Sequence, residues 1–458
     1  MQSNQWNPEL RHWLDQSARA VGFDVVGVAE VHGLDDPAAA QNSARYAAWI
    51  DAGHAGEMEY LKRRDQQGIL VRGNLNIAVP WARTVIACAV NYNFATASNH
   101  DDDSLPRSAT PLSIDPAPAG SGWIARYAWT GRALEDGICA PTDYHDELLT
   151  RLREIESGLI LRATCTTRCY VDTGPLVERS LAAEAGIGWI GKNTCLLNQQ
   201  LGSWLLLGVI ITSLSMEKVR ETMSNAHSAS TSSKPLETHF NTTVNTAIEE
   251  DRHKPIVSIY APDRCGSCTR CIDACPTGAL LGSKSQDAPR TMDASRCIAY
   301  LTIEKKGAID PGLRAAMGRH VFGCDICQDV CPWNCKAFLA DKELTAVPFE
   351  QPETPGAPFL PRSMRNGPEL NQPYLQPRPE LINPSLDWLA AMDTPQFKRL
   401  FKGSPLERTG RKRLLRNVAI AMGNSGEARF LPQLEAWAAG DDPVLADAAQ
   451  WARARLLA

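Results

Sequence analysis

The sequence predicts an α+β chain: a mixed α/β region first, a cysteine-rich segment after it, and a helical tail. Three observations carry that prediction. Short apolar runs of strand composition alternate with helix-spaced stretches up to about residue 212. Eight of the 14 cysteines crowd into residues 265–331. Beyond residue 384 the apolar spacing is helical throughout.

The first element is a helix in "MQSNQWNPELRHWLDQSARAVGFD", where Leu10, Trp13, Leu14 and Val21 share a face. That segment has neither an apolar leader core nor paired arginines, and no run reaches membrane-spanning length, so a cytoplasmic protein is expected. Strands are expected at "FDVVGVAEV", "RTVIACAVNY" and "LLLGVIIT", which are rich in β-branched and apolar residues. Helices are expected at "DYHDELLTRLREIES" and "VERSLAAEA". Residues 95–122 and 213–254 lack apolar periodicity and read as insertions. The expected divisions are 1–254, a cysteine-rich domain over 255–347, a linker over 348–384 with ten prolines, and a helical domain over 385–458.

One motif is rejected. "GIGWIG" (186–191) satisfies the dinucleotide glycine pattern, but that fold needs a strand before the glycines and a helix after them. Here the helix comes first. The glycines are better explained by close backbone approach to another flat group or by a tight turn.

Net charge is −5 over 458 residues and hydrophobics make up 44%, so nothing global points to nucleic acid; such contact must come from a local patch. In a reducing compartment the thiols stay available to metals.

"CGSCTRCIDACP" (265–276) has the spacing C-x2-C-x2-C-x3-C-P. In bacterial two-cluster proteins three close thiolates of such a run hold one 4Fe–4S cubane, and the fourth ligates the other. Cys265, Cys268 and Cys271 therefore share a cluster and Cys275 crosses over. "CDICQDVCP" (324–332) repeats the last three positions, so Cys331 crosses back to the first cluster. The second cluster then has Cys275, Cys324 and Cys327, and Cys297 is the sole cysteine between the runs to complete it. Cys335 is expected to be a non-ligand. A zinc ribbon is the alternative, and the Cys-Pro endings fit it poorly. Two cubanes form an electron path, and the 260-odd residues upstream are expected to hold what the path feeds.

At this point the chain resembles a family. "VDTGPLVERSLAAEAGIGWIGKN" (171–193), the double cluster motif, "RCIAYLTIEKKGAI" (296–309) and "FGCDICQDVCPWN" (322–334) are similar to epoxyqueuosine reductase. The resemblance implies a cobalamin and 4Fe–4S enzyme that removes the epoxide oxygen of epoxyqueuosine in a tRNA anticodon loop. It also implies that Asp172 is the proton donor, with a pKa expected to be raised by burial. Arg72, Lys192, Asn193 and Ala299 fall where the family meets cobalamin, Ala299 replacing a serine common there. Asp143, Tyr144 and His145 match a triplet on the substrate side, although "ALEDGICAPT" (133–142) intervenes before them. A D-x-H-x-x-G motif is missing, so base-off cobalamin without a histidine axial ligand is expected.

"FKRLFKGSPLERTGRKRLLR" (397–416) has eight Lys/Arg against one Glu, interleaved with Phe397 and Phe401. With the family ending similarly, tRNA backbone contact is expected from Lys398, Arg399, Lys402, Arg411, Lys412 and Arg413 on HEAT-type hairpins. A monomer reduced by a flavodoxin or ferredoxin completes the expectation. Two other readings stay open: a corrinoid dehalogenase, which lacks reason for a basic tail, and a non-catalytic iron–sulfur carrier, which leaves 171–193 without purpose.

Overall fold

The computed structural model describes residues 4–92, 120–134, 139–216, 264–283, 290–334 and 375–458. Most of both expected insertions, most of the proline-rich linker and Cys335 lie outside the described residues.

Helix α1 (Pro8–Ala20) starts at Asn7, whose side chain accepts from the Leu10 amide, with Pro8 preset for the first turn. Strand β1 (Val25–Glu30), helix α2 (Pro37–Asp51), the short α3 (Leu75–Ala78) and strand β2 (Thr84–Asn91) follow. Next come β3 (Trp123–Ile124), β4 (Thr130–Ala133), β5 (Cys139–Pro141), α4 (Tyr144–Ile160) and β6 (Thr167–Tyr170). Then α5 (Glu178–Glu184), β7 (Trp189–Ile190), β8 (Leu196–Leu197) and β9 (Leu205–Thr212) close the N-terminal region.

Four strands form one sheet in the order β1-β2-β9-β6, and every neighbouring pair is antiparallel. The expected strands are present, but the α/β label is corrected: no parallel β-α-β unit joins them, because the connections return along neighbouring strands. Both faces of the sheet are covered. Ile86, Cys88 and Val90 meet Leu10 and Leu14 of α1 and Leu148, Leu152 and Ile155 of α4. Val85, Ala87 and Ala89 point the other way, to Ala182 and Ala183 of α5. This period-2 split explains why β2 reads as an unbroken apolar run.

The glycine string resolves as a turn and a hairpin. Gly186 ends α5 at φ +79°, and β7 pairs with β8 immediately after. A Cβ on Gly188 would stand 2.0 Å from the Leu197 carbonyl oxygen.

The cysteine-rich part holds α6 (Arg270–Asp273), α7 (Ile298–Ile303), α8 (Pro311–Arg314), β10 (His320–Phe322) and α9 (Ile326–Asp329). Strand β11 (Gln376–Pro377) pairs with β4, which pairs with β5, so the described ends of the stretch 133–142, ahead of the Asp-Tyr-His triplet, belong to one small sheet. The tail is helical: α10 (Leu386–Ala391), α11 (Thr394–Phe401), α12 (Gly410–Asn424), α13 (Leu431–Ala438) and α14 (Pro443–Leu457).

These tail helices share a core with the cysteine-rich part. Ile298, Leu301, Val321 and Phe322 pack in one cluster with Leu414, Val418 and Phe401. Buried polar side chains of α12 cap the exposed ends of that core. Arg416 donates to the carbonyls of Leu301 (2.6 Å), Lys305 (2.7 Å) and Gly307 (2.6 Å). Asn417 donates to those of Thr302 and Val321, each at 2.9 Å. Buried carbonyls left unpaired would each cost about 1–3 kcal/mol, so the tail completes the fold of the segment that follows Cys297.

Candidate active site

A cavity of about 780 Å³ lies where the sheet region, the cysteine-rich part and the tail converge. Its wall includes Cys275, Cys297, Cys324 and Cys327, the four thiols the spacing assigns to one cluster. The other set gathers apart from it: Cys331 is held in electrostatic contact with Cys265 and Cys271, and Cys271 with Cys268. One set of thiols thus lines the cavity, and the other set does not. Short helices make this possible, since each begins within two residues of a cysteine and the chain turns between them.

Asp172 lines the cavity from the loop between β6 and α5. Its backbone is left-handed, φ +53°, and Thr194 on the same wall has φ +60°. Left-handed geometry is costly for residues other than glycine and persists where surrounding structure enforces it. The Asp172 carboxylate Oδ2 is 3.5 Å from both the Tyr144 hydroxyl and His145 Nε2. The expected raised pKa is not what this arrangement gives. Burial pushes the carboxyl up, but the hydrogen bond and charge of His145, with Arg179 and Arg408, outweigh it and hold it below the usual range. Although burial is the largest single influence on a side chain that is still 63% exposed, His145, Arg179 and Arg408 together exceed it.

The carboxyl that is held protonated near neutrality is Glu178, six residues on at the start of α5. Burial, then the Asp172 charge, move it up to about 7 against its own backbone hydrogen bond and Arg72 and Arg179. Its Oε1 is buried in the cavity wall with no hydrogen-bond partner. The sequence reading gave the acid role to Asp172 because the family resemblance points there, and how far each carboxyl is buried cannot be read from the sequence.

The Asp-Tyr-His triplet opens α4. Asp143 is its N-cap, its Oδ1 accepting from the His145 amide at 3.1 Å and lying 2.7 Å from His145 Nδ1. Burial alone would raise Asp143, but His145 and Arg408 bring it down to about 2. Burial tends to lower His145; its hydrogen bonds to Asp143 and Asp172 outweigh that and raise it. Arg408, from the tail, completes the group with Nη2 at 2.7 Å from Asp143 Oδ2. Sequence reading missed Arg408, which is separated from Asp143 by 265 positions and sits in a run of similar residues.

The remaining expected residues divide. Ala299 and Asn193 line the cavity. Asn193 spends its amide on the Cys327 carbonyl (3.3 Å) and accepts from the Cys195 amide (3.1 Å). Lys192 is buried and donates to the Gly266 carbonyl at 2.8 Å, inside the first cysteine loop. Arg72 donates to the Gly174 carbonyl at 2.6 Å and faces a second cavity of about 980 Å³, which shares Thr194 and Met292 with the first. In the tail, Lys398, Arg399, Lys402 and Lys412 are exposed. Arg411 donates to the Met392 carbonyl at 2.7 Å and Arg413 to that of Ile303 at 2.6 Å. Phe397 and Phe401 are core residues stacked edge to face, so they do not offer bases a platform.

Fold and site define an iron–sulfur oxidoreductase with a cofactor-sized cavity against one of two cysteine sets. The comparisons narrow this. Residues 264–334, spanning all eight motif cysteines, match the 4Fe–4S double cluster binding domain, and residues 72–173 match the model described as epoxyqueuosine reductase QueG, DUF1730. The epoxyqueuosine reductase of Gloeobacter violaceus is 33% identical over 90% of this chain and 95% of its own. That of Escherichia coli K12 is 29% identical over 99% and 90%. A crystal structure of epoxyqueuosine reductase with an epoxyqueuosine-modified tRNA-Tyr stem loop superposes at TM-score 0.67 with 25% identity, covering 98% of this chain and 91% of that one. The chain belongs to the epoxyqueuosine reductase family.

Proposed function

We propose that the chain reduces epoxyqueuosine to queuosine in the anticodon loop of tRNA, with cobalamin in the main cavity and two 4Fe–4S clusters feeding it. The observation that carries this is the juxtaposition of Asp172 and the second-cluster thiols on one cavity wall. The cavity also fits such a group. Its volume, its apolar Leu205–Leu207 wall and the orphaned Glu178 Oε1 suit a large flat cofactor with polar edges. Ala299 and Asn193 are its neighbours among the residues the family resemblance singles out.

Cobalamin bound there would supply a low-potential reductant, with the clusters as a source of single electrons. Opening an epoxide to an alkene and water takes two electrons and two protons. The chain provides the acids. Asp172 faces the substrate side and gives its proton to the departing oxygen; substrate that displaces water from the cavity mouth desolvates its carboxyl and raises its proton affinity. His145 Nε2, at 3.5 Å, is the nearest donor to recharge it. Glu178 holds a second proton on the same wall.

The exposed Lys398, Arg399, Lys402 and Lys412 are the residues for the tRNA backbone. They stand on helices we assign to HEAT-type hairpins over 385–458. A flavodoxin or ferredoxin would reach the first cluster, which is farther from the cavity, and the enzyme would work as a cytoplasmic monomer. Among the described residues no helix is long and apolar enough to cross a membrane.

The test is anaerobic reconstitution with iron, sulfide and cobalamin, then nucleoside analysis of reductant-treated tRNA. Queuosine should replace epoxyqueuosine. Asp172→Asn should keep both clusters and the corrinoid spectrum while losing turnover, by about 10²-fold or more for a general acid. Wild-type rates in that variant remove Asp172 from the chemistry.

A further inference from the structure

His145 has one ring nitrogen with two incompatible neighbours. Nδ1 is 2.7 Å from Asp143 Oδ1, which can only accept, and 2.6 Å from Arg408 Nη2, which can only donate. One nitrogen cannot donate to the first and accept from the second at once. Arg408 Nη1 also stands 3.2 Å from His145 Nε2, the nitrogen that faces Asp172. With Arg408 in place its charge opposes protonation of the imidazole, against the pull of Asp143 and Asp172. With Arg408 withdrawn, Nδ1–H donates to Asp143 and Nε2–H points at Asp172 Oδ2.

Arg408 is not part of the reductase region. It lies in the short helical turn Pro405–Thr409 of the tail, between α11 and α12. Arg413 donates to its backbone carbonyl, and α12 is tied to the segment after Cys297 by Arg416 and Asn417. Its side chain is 44% exposed and lines the cavity, on the same tail as the exposed lysines. A guanidinium there has a second partner of its own kind of chemistry: a phosphate of an RNA loop entering the cavity, which matches its fork.

We propose that Arg408 is a positioning residue through which the seating of RNA on the tail sets the protonation of His145. This rests on the proposed RNA substrate. An RNA phosphate draws the guanidinium off the imidazole; His145 takes a proton from solvent at the vacated nitrogen and passes the one on Nε2 to Asp172. The balance is one proton gained and one given, with no change of oxidation state. The groups facing His145 are Asp143 and Tyr144 from its own helix start, Asp172 from the loop before α5 and Arg408 from the tail, with Tyr127 behind Tyr144. Only Arg408 disfavours its charged form among the charges on it.

The experiment uses cluster- and cobalamin-loaded enzyme with ring-labelled histidine, the His145 signal being the one lost in His145→Gln. Its titration midpoint is read with and without an unmodified tRNA stem loop. In the wild type the stem loop should move the midpoint upward. In Arg408→Gln the midpoint should already be high and the stem loop should no longer move it. Arg408→Lys, which keeps charge but cannot fork between both nitrogens, should fall between them. A midpoint that the stem loop moves equally in wild type and Arg408→Gln overturns the proposal, as does an Arg408→Gln midpoint equal to that of free wild type. Stem loop that fails to bind the wild type, by fluorescence anisotropy, overturns the RNA reading itself; the midpoint difference between the RNA-free variants is then still decisive for Arg408.

Discussion

Replacing Glu178 by glutamine should make the protein more stable, and increasingly so as pH rises. The carboxyl moves from an ordinary 4.5 to about 7, chiefly by burial, with the Asp172 charge adding to it. A displacement of roughly 2.5 units corresponds to about 3 kcal/mol at 1.36 kcal/mol per unit. Below the unfolded value both states hold the proton and the two proteins should differ only by a constant. Between about 4.5 and 7 the unfolded chain releases its proton while the folded one keeps it, so wild-type stability falls with pH. Above 7 both are ionised and the full cost is present. Glu178 as a whole residue is only half-buried, so about 1–2 kcal/mol is the realistic gain for glutamine. Urea midpoints of the cluster-loaded proteins from pH 5.5 to 8.5, converted through a common m value, measure it. An offset that stays flat across that range would refute the reasoning, because a glutamine that merely packs better has no reason to track pH.

Two further outcomes follow from the site. Cys297→Ala should lose the cluster next to the cavity and retain the other, so iron per chain drops by about half on the eight-thiolate scheme; iron content of anaerobically reconstituted protein checks it, and unchanged iron would require another thiol in its place. Charge reversal of Lys398, Arg399 and Lys402 together should weaken stem-loop binding and flatten its dependence on salt by about two units of log–log slope, at 0.7–0.9 per phosphate contact; the same change at Arg411 and Arg413 should instead cost folding, since both donate to internal carbonyls.

How much of this was legible in the sequence depends on how local each feature is. The cysteine framework was legible because cubane ligands within a run are two or three residues apart and the crossing thiol follows a fixed offset. Cys297 could be placed by elimination, and it stands on the cavity wall with the other three. Strands β1, β2 and β9 were legible from apolar runs, but their antiparallel order was not, since runs buried on both faces read the same in either topology. The basic tail shows the opposite failure. Composition counted eight cations, and folding turned Arg411, Arg413 and Arg416 inward to carbonyls and Phe397 and Phe401 into the core.

The acid chemistry was the least legible because it arises between segments. A neighbouring pair of carboxyls, Asp172 and Glu178, share one cavity yet move in opposite directions. The difference lies in who reaches them: His145 from α4 and Arg408 from the tail face Asp172, while Glu178 keeps a bare Oε1. Carboxyls driven apart in this way divide the labour of a reaction needing two protons, one group ionised and rechargeable, the other holding its proton near neutral pH. Because Arg408 takes part from the tail, the proton supply of the cavity is tied to the same helices that carry the exposed lysines. The tail is therefore a component of the active site as well as a platform for RNA, and losing the Arg408 guanidinium alone should uncouple His145 protonation from RNA binding while the rest of the tail stays in place.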